Sequence, residues 1–261
     1  GMILTTGPTG SGKTTTLYAF IQKIYNPEIK IITIEDPIEY HLKGIEQTQV
    51  APEEGYDFAK GLRAIVRQDP DVILVGEIRD LETAETAMNA ALTGHLVFST
   101  LHTNNAAGTV PRLINIGVNP ATIAPAINVS MAQRLVRRIC SGCTSAVPVD
   151  AALEKRIQKE HAELPKTVPI PPKSEWKIAQ AGKRASCETC NGIGYKGRVA
   201  VFEIILIDEE IQKLILTSPS EYDLKREARR QGQMTLREDG VLKVLQGVTD
   251  FEELDRFVGI E

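Results

Sequence analysis

Several features that mark other classes of protein are missing or scarce in this chain of 261 residues. No apolar run approaches the roughly 20 residues of a membrane span, which excludes a membrane-spanning helix. No secretory signal peptide is recognisable, so we expect a cytoplasmic location. Aromatic residues make up 5% of the chain and the net charge is −4 without a basic tail, so we expect no nucleic acid as the main partner.

The composition that remains is typical of a globular protein. Hydrophobic residues make up 42% and charged residues 25% of the chain, which is enough apolar surface for a sizeable core. The length predicts one large domain or one domain with an appendage. The chain starts at Gly1 without an initiator methionine, directly before a predicted core strand, so we expect the natural protein to extend further at its amino end.

The chain is organised around a glycine-rich loop at residues 7–14, which read GPTGSGKT. In this G-x-x-x-x-G-K-[ST] pattern, glycines let the backbone aim its N–H groups at phosphates, the lysine reaches the β- and γ-phosphates, and the Thr14 hydroxyl ligates magnesium. Residues 2–6 predict a strand before the loop, and residues 15–24 predict a helix after it whose amino end favours an anion. The predicted nucleotide-binding residues are Gly7, Pro8, Thr9, Gly10, Ser11, Gly12, Lys13, Thr14 and Thr15.

Acidic residues follow two further predicted strands. The β-branched residues 30–34 lead into Glu35, at the position where open α/β sheets place their ligands. Glu35 or Asp36 could orient the attacking water or complete the magnesium shell. The alternative to this functional role is a solvated strand end. Residues 71–75 form the second strand, followed by Glu77, with Gly76 where an aspartate is usual. We therefore predict that Glu77 holds the metal through a water, polarises the nucleophilic water, or does both.

Two of the four histidines bracket the next predicted strand, residues 96–100. A single histidine is more often a packed or capping residue than a ligand, but His95 and His102 at the two ends of one core strand favour a functional site. Thr100, His102 or Asn104 could sense the γ-phosphate of a nucleotide.

The alternation of strands and helices from residue 2 to residue 138 predicts a parallel sheet with right-handed crossovers, which is the architecture of RecA-like nucleotide-binding cores. Residues 45–50 alternate weakly between apolar and polar and predict a peripheral strand. Residues 105–116 and 120–139 have helical spacing, so we predict two helices there.

All four cysteines lie in two C-x-x-C pairs, Cys140 with Cys143 and Cys187 with Cys190. Two such pairs have the spacing of a closed structural zinc site with four thiolates. The alternatives are redox disulfides, which fit poorly with a cytoplasmic chain, and unligated thiols. Residues 144–186 predict a surface excursion with a polar helix over 151–163, and its composition points to no function.

The predicted fold class is α/β: a RecA-like P-loop NTPase core, a four-cysteine zinc-binding insertion and a small C-terminal helical subdomain. We predict the domain boundaries at 1–139 for the core, 140–196 for the zinc segment, and 197–261 for the last core strand with the helical subdomain.

Taken together, these motifs resemble the secretion ATPase superfamily, and within it the motor ATPases of type II secretion and type IV pilus assembly. The resemblance covers nearly the whole chain, and the two cysteine pairs favour the assembly and secretion branch. The stretches that carry it are residues 7–16 as Walker A, 34–39 as the Asp box, 61–80 as an atypical Walker B region, 93–104 as the His box, and 133–143, which lead into the metal-binding segment.

The resemblance implies a hexameric ATPase that uses ATP and Mg²⁺, carries Zn²⁺, and lies at the cytoplasmic face of the inner membrane. Its partners would be a membrane platform protein and an associated cytoplasmic adaptor. It also implies that Glu35 and Glu77 share the catalytic-carboxylate and metal-shell roles, with Glu77 favoured as the general base. His95 and His102 would monitor the nucleotide across the site.

Two departures from the family limit this expectation. The spacer 144–186 is longer than usual, and the family's N-terminal domain, which supplies arginines to the ATP site, is absent from this sequence. We therefore expect this chain alone to bind ATP but to hydrolyse it slowly or not at all. The competing hypotheses are a nucleic-acid-dependent ATPase or DNA-uptake translocase and a nucleotide-gated assembly module that does not hydrolyse ATP.

Overall fold

The computed structural model describes residues 1–162, 164–166, 168, 171–182 and 186–258. They divide into two units. Unit 1 consists of Gly1–Ala132 and Ile204–Ala228, and unit 2 consists of Gln133–Glu203 and Arg229–Glu261 as far as these are described. The domain boundaries predicted from the sequence remain a prediction.

Strands occupy much of the first half of the chain and recur near residue 200. They are β1 (Met2–Thr6), β2 (Ile31–Glu35), β3 (Glu46–Gln49), β4 (Val72–Val75), β5 (Leu96–Leu101), β6 (Ile127–Ile139), β7 (Ser145–Ala146), β8 (Ala179–Gln180) and β9 (Tyr195–Leu206).

Helices separate the strands and dominate the last part of the chain. They are α1 (Lys13–Ile24), α2 (Phe58–Val66), α3 (Leu81–Leu92), α4 (Thr109–Ile116), α5 (Pro120–Ala126), α6 (Ala151–Ala162), α7 (Glu209–Ile215), α8 (Glu221–Arg230), α9 (Leu236–Leu245) and α10 (Phe251–Val258). Two short 3-10 helices lie at Pro52–Glu54 and Lys173–Glu175.

The main sheet has the strand order β3-β2-β4-β5-β1-β6-β9. Strands β1 to β5 pair only in parallel, and β1 also pairs in parallel with β6, which confirms the predicted parallel α/β architecture. The peripheral strand predicted around residues 45–50 is β3, at one edge. Because the strands are parallel, the chain segments that follow β1, β2, β4 and β5 all emerge at the same edge of the sheet.

The α1 helix covers one face of this sheet. Its buried side chains Leu17, Tyr18 and Ile21 pack against strand residues that include Leu74 and Phe98. Burying large apolar side chains contributes about 1.5–3 kcal/mol each, so this contact fixes the helix and the loop before it on the sheet.

The predicted helix over residues 120–139 is wrong after Ala126. Residues 127–139 form strand β6, in which Val129 lies opposite Ile3 and Ala132 opposite Thr6 of β1. Apolar residues in this stretch recur at intervals of about four, which favours a helix locally. Hydrogen bonding to the edge of β1 that β5 does not occupy outweighs this weak local preference, as tertiary contacts often do. The helix predicted over 105–116 begins only at Thr109.

Unit 2 has a hydrophobic cluster of its own. Ile157 of α6 and Ile178 pack with buried residues of α9 and α10, and Trp176 lies against the same cluster. Arg237, on α9, donates hydrogen bonds to Glu160 of α6 and to Asp255 of α10. The described part of the stretch interpreted as a surface excursion therefore contributes to the core of unit 2, together with α9 and α10. The predicted helix over 151–163 is described up to Ala162, and position 163 lies outside the described residues.

A buried ion pair links β6 to α10 inside unit 2. The Glu253 side chain is fully buried, and it accepts hydrogen bonds from Arg137 through the backbone N at 2.8 Å, Nε at 2.8 Å and Nη2 at 2.6 Å. The same guanidinium lies 3.9 Å from the ring centre of Tyr195. The hydrogen bonds to Glu253 raise the pKa of Arg137, so its guanidinium stays charged.

Replacing Arg137 by methionine is expected to destabilise unit 2 by about 3 kcal/mol, because Glu253 is left charged and buried without its cation. Urea unfolding of the chain, followed by fluorescence of Trp176, the single tryptophan, measures the change. Arg138→Met, at the exposed next position, is the matched control and is expected to change little. Equal destabilisation by the two variants would contradict the role given to the pair.

None of the helices in the described part of the chain is long and apolar enough to cross a bilayer.

Candidate functional site

The glycine-rich loop connects β1 to α1, as the sequence predicts. Gly7, Gly10 and Gly12 have φ angles of +148°, +78° and +88°, a region that side chains with a Cβ rarely adopt. Helix α1 starts directly after Gly12, and this N-cap position makes no side-chain hydrogen bond to the helix. The first amide groups of a helix have no partner within it, so a start of this kind suits the binding of an anion.

Lys13 is 8% exposed, and its ammonium group lies within the loop. Nζ donates to the carbonyl oxygens of Gly7 at 2.9 Å and Pro8 at 3.1 Å. The Ser11 hydroxyl is buried, and it has no hydrogen-bond partner among the described residues. Thr14 is half-buried at the start of α1 and Thr15 is exposed. The loop thus places one ammonium group, one unpartnered hydroxyl and the helix amides at the same concave backbone.

Glu77 follows β4 at the edge of the sheet where the loop lies, and its side chain is 15% exposed. One carboxylate oxygen accepts a hydrogen bond from Arg79, and the other lies 3.3 Å from His102 Nε2. Arg79 also lies 3.8 Å from the Asp36 carboxylate. The hydrogen bond with Glu77 raises the pKa of Arg79. The structure therefore brings the predicted residues Glu77 and His102 together, with an arginine between two carboxylates.

Close backbone packing explains the glycine at position 76. A Cβ atom there would lie 3.3 Å from Glu35 Cα and 3.3 Å from the carbonyl oxygen of Ile34. The Gly76 carbonyl accepts a hydrogen bond from the Thr100 hydroxyl at 2.8 Å. An aspartate at this position would crowd the backbone of β2, so the neighbouring Glu77 is the carboxylate that this strand end can present.

Glu35 lies in a different environment. It is 2% exposed, and three side-chain donors surround its carboxylate. Thr33 Oγ1 donates to Oε1 at 2.5 Å, Gln47 Nε2 donates to Oε1 at 3.1 Å, and the Tyr18 hydroxyl donates to Oε2. In this arrangement both oxygens of Glu35 have buried donors, whereas the Glu77 carboxylate contacts the largely exposed side chains of Arg79 and His102.

The two predicted histidines lie at opposite ends of β5. His102 follows the strand and is exposed, beside Glu77. His95 precedes it, half-buried, with Nδ1 2.9 Å from the Ala90 carbonyl oxygen. A strand of this length separates them by about 20 Å, so His95 does not join the Glu77 cluster. The role of His95 remains a prediction.

Hydrogen bonds around the Thr6 hydroxyl link the phosphate loop to the His102 segment. Thr6 Oγ1 donates to the Leu101 carbonyl at 3.0 Å and accepts from the Thr103 backbone N at 2.7 Å. Thr6 is the last residue of β1 and directly precedes Gly7. The loop that would hold phosphates and the segment that would sense them are therefore joined through one buried hydroxyl.

The four cysteines cluster inside unit 2. Their Sγ atoms all lie within 4.8 Å of one another, with 3.9 Å between Cys140 and Cys187 and 3.5 Å between Cys143 and Cys190. Four thiolates around one zinc at about 2.3 Å would lie about 3.8 Å apart, which these distances fit. The close pairs join different C-x-x-C motifs and are far longer than a disulfide bond, so the arrangement does not fit two redox disulfides.

Backbone groups complete the cysteine cluster. The Gly194 N–H donates to Cys190 Sγ at 3.2 Å, and the Cys143 thiol donates to the Gly182 carbonyl at 3.2 Å. Hydrogen bonds from Cys190, its backbone N–H first, lower the pKa of the Cys187 thiol to about 7. An N–H donor beside sulfur favours the thiolate form that a metal requires. The cluster can hold one metal ion with no open position.

Sequence reasoning missed several residues of the site. Arg79 carried a signal, because it lies in the same charged segment as Glu77 directly after a predicted strand. Tyr18 and Gln47 carried none. Gln47 meets Glu35 because β2 pairs with β3 in a register that places Thr33 opposite Gln47, and Tyr18 meets Glu35 because α1 packs on the sheet. Thr33 lies two residues before Glu35 on β2, so the alternation along a strand could have placed both side chains on one face.

The chain matches the family described as type II/IV secretion system protein over residues 1–256. It is 47% identical over 254 residues to the type IV pilus assembly ATPase PilB of Thermus thermophilus, covering 97% of this chain and 27% of that protein. It is 46% identical over 256 residues to type II secretion system protein E of Pseudomonas aeruginosa, covering 98% and 48%. The chain thus spans about a quarter to a half of these relatives.

Solved structures agree with the fold. The pilus retraction motor PilT with bound ADP superposes with a TM-score of 0.67 at 31% identity, covering 98% of this chain and 60% of that one. The ATPase DotB of Legionella pneumophila superposes with a TM-score of 0.64 at 26% identity, covering 98% and 59%.

Proposed function

Because this chain belongs to the type II/IV secretion system protein family, we propose that it is the ATP-hydrolysing part of a motor for type IV pilus assembly or type II protein secretion. The observation that carries the proposal is the placement of Lys13, Glu77 and His102 at one edge of a parallel sheet. That edge is where open α/β sheets bind their ligands.

In the proposed reaction, the amides of the loop and the Lys13 ammonium group bind the phosphates of ATP. Thr14 would hold magnesium, which supplies positive charge beside the phosphate oxygens. Glu77 orients the attacking water and accepts its proton, because one of its oxygens faces a histidine and its side chain is only partly buried. Arg79 holds the other oxygen and fixes the direction of the carboxylate.

We further propose that the cysteine cluster binds one zinc ion with a structural role. The support is the distance set among the four Sγ atoms and the N–H donor on Cys190. The zinc would hold the ends of β6 and of the segment before β9 together, at the base of residues 144–186. No reacting group lies on the cysteines in this proposal, because all four thiolates are ligands.

The remaining parts of the proposal rest on the names of the relatives and on the family resemblance. They are a homo-hexamer, a location on the cytoplasmic side of the inner membrane, and contact with a membrane platform protein and its cytoplasmic adaptor. The roles of His95 and of residues beyond this chain belong to the same proposal.

Magnesium-dependent ATP hydrolysis by the natural full-length protein tests the proposed function, with its oligomeric state measured by light scattering on the same sample. We expect a hexamer that hydrolyses ATP only with magnesium, and a 261-residue chain that binds ATP with much slower turnover. A hexamer that binds ATP without hydrolysing it would replace the motor by a nucleotide-gated assembly module. Stimulation by DNA that salt abolishes would favour the translocase.

A further inference from the structure

We propose that Tyr18 and Gln47 are positioning residues for ATP hydrolysis, which hold the Glu35 carboxylate at the edge of the sheet beside the phosphate loop. This inference rests on the proposed function and deepens it. It gives Glu35 a defined orientation during the reaction, and it assigns that orientation to two side chains outside the motifs.

Tyr18 and Gln47 together contact both oxygens of the Glu35 carboxylate. Tyr18 is fully buried on α1, one and a half turns after the phosphate loop, and its hydroxyl donates to Glu35 Oε2. Gln47 Nε2 donates to Glu35 Oε1 at 3.1 Å and lies 3.3 Å from the Tyr18 hydroxyl. The three side chains form a closed triangle, so the carboxylate cannot rotate without breaking at least one of these hydrogen bonds.

The side-chain donors that hold the buried Glu35 carboxylate are all neutral groups. No lysine, arginine or histidine side chain lies at ion-pair distance from Glu35 in the part of the chain that the structure describes, so no cation fixes its direction. Burial, followed by the contact with Glu35, raises the pKa of Tyr18. Tyr18 therefore keeps its proton at every physiological pH and remains a donor to the carboxylate. Neutral donors orient a buried carboxylate without pairing it with a cation, so it can face a metal shell or a water.

Tyr18 and Gln47 also contact the segment that follows Glu35. Gln47 Oε1 accepts from the Leu42 backbone N at 2.6 Å, and Gln47 Nε2 lies 3.3 Å from the Tyr40 carbonyl oxygen. The Tyr40 ring packs edge-on against the Tyr18 ring with 4.8 Å between centres. The orientation of Glu35 is therefore coupled to the folding of residues 36–45 over the carboxylate.

The same contacts could serve only to join α1, β2 and β3. The test must therefore separate this structural role from the proposed positioning role. We would measure kcat and KM for ATP with the natural full-length protein in four forms: wild type, Tyr18→Phe, Glu35→Gln and the double variant. Phenylalanine keeps the ring contact with Tyr40 and removes only the donor. Gln47→Ala, alone and with Glu35→Gln, repeats the test from the second donor.

We expect Tyr18→Phe to lower kcat by about 10- to 100-fold, because small misplacements of a reacting group cost this much. KM for ATP should stay within about twofold, since the phosphate loop is untouched. In the Glu35→Gln background, Tyr18→Phe should change kcat by less than about twofold, because it acts only through the carboxylate. Gln47→Ala should follow the same pattern.

Gln49→Ala and Tyr25→Phe are the matched controls. Gln49 also accepts from the backbone of residues 36–45, at Ile38 N, but neither control side chain bonds to Glu35 in the described structure. Both variants should keep the wild-type kcat. An equal loss of kcat from Tyr18→Phe in both backgrounds, or no loss at all in a wild type that hydrolyses ATP, overturns the positioning role. A wild type without hydrolysis overturns the proposed function itself, and this inference with it.

Discussion

Replacing Glu77 by glutamine is expected to lower magnesium-dependent ATP turnover by about 100-fold or more, while ATP still binds. Glutamine has the same size and keeps an oxygen for Arg79, so the fold around β4 should persist. It cannot accept the proton of the attacking water, and general-base catalysis contributes about 10²–10⁴-fold to such rates. Turnover by the natural full-length protein, with binding of a fluorescent ATP analogue measured in parallel, separates chemistry from binding.

Two further variants serve as controls for this experiment, one that should weaken ATP binding and one that should change nothing. Lys13→Ala removes the ammonium group of the phosphate loop and should weaken binding of the analogue as well as turnover. Glu82→Gln changes an exposed glutamate that pairs with Arg63 and should change neither. If Glu77→Gln keeps wild-type turnover while Glu35→Gln loses it, Glu35 is the general base and our assignment of Glu77 is wrong.

Removing zinc is expected to unfold unit 2 while nucleotide binding by unit 1 survives. Binding of structural zinc contributes about 10–16 kcal/mol in small zinc-binding peptides near neutral pH, which matches or exceeds the whole stability of a typical domain. The variant Cys187→Ser with Cys190→Ser should lose the zinc and the cooperative unfolding transition reported by Trp176. The phosphate loop and the side chains packed under α1 all lie in unit 1, so binding of the ATP analogue should remain.

The measurements are zinc per chain by elemental analysis, Trp176 fluorescence during urea unfolding, and binding of the analogue. Wild type should carry one zinc per chain. Thr189→Ala, an exposed position between the two replaced cysteines, is the matched control and should keep the metal. A wild type purified without zinc that still shows a cooperative Trp176 transition would show that the thiols need no metal.

Sequence patterns were sufficient to predict the sites whose residues are neighbours in the chain. The phosphate loop needs glycines and a lysine at fixed spacing within one turn, so its residues are readable without any long-range contact. The same holds for each C-x-x-C pair. Strands β1, β2, β4 and β5 were readable because strands buried on both faces are runs of apolar residues.

Long-range contacts determined the features of the fold and of the site that the sequence patterns did not predict. Residues 127–139 have a local pattern that favours a helix, but they form strand β6 because they pair with β1. The contact between Gln47 and Glu35 depends on which residue of β3 lies opposite Thr33, because a shift of one residue would turn Gln47 to the other face of the sheet. The packing of Ile157, Trp176 and Ile178 against α9 and α10 also joins parts of the chain that are distant in sequence.

The sequence by itself determined the family, the parallel α/β class, the phosphate loop and the four-cysteine set, because each is encoded in short stretches or in their order. Only the tertiary structure decided that Glu77 meets His102 and Arg79 and that Glu35 is held by Tyr18 and Gln47. These relations depend on strand register and burial, which arise when the chain packs and cannot be read from any one segment.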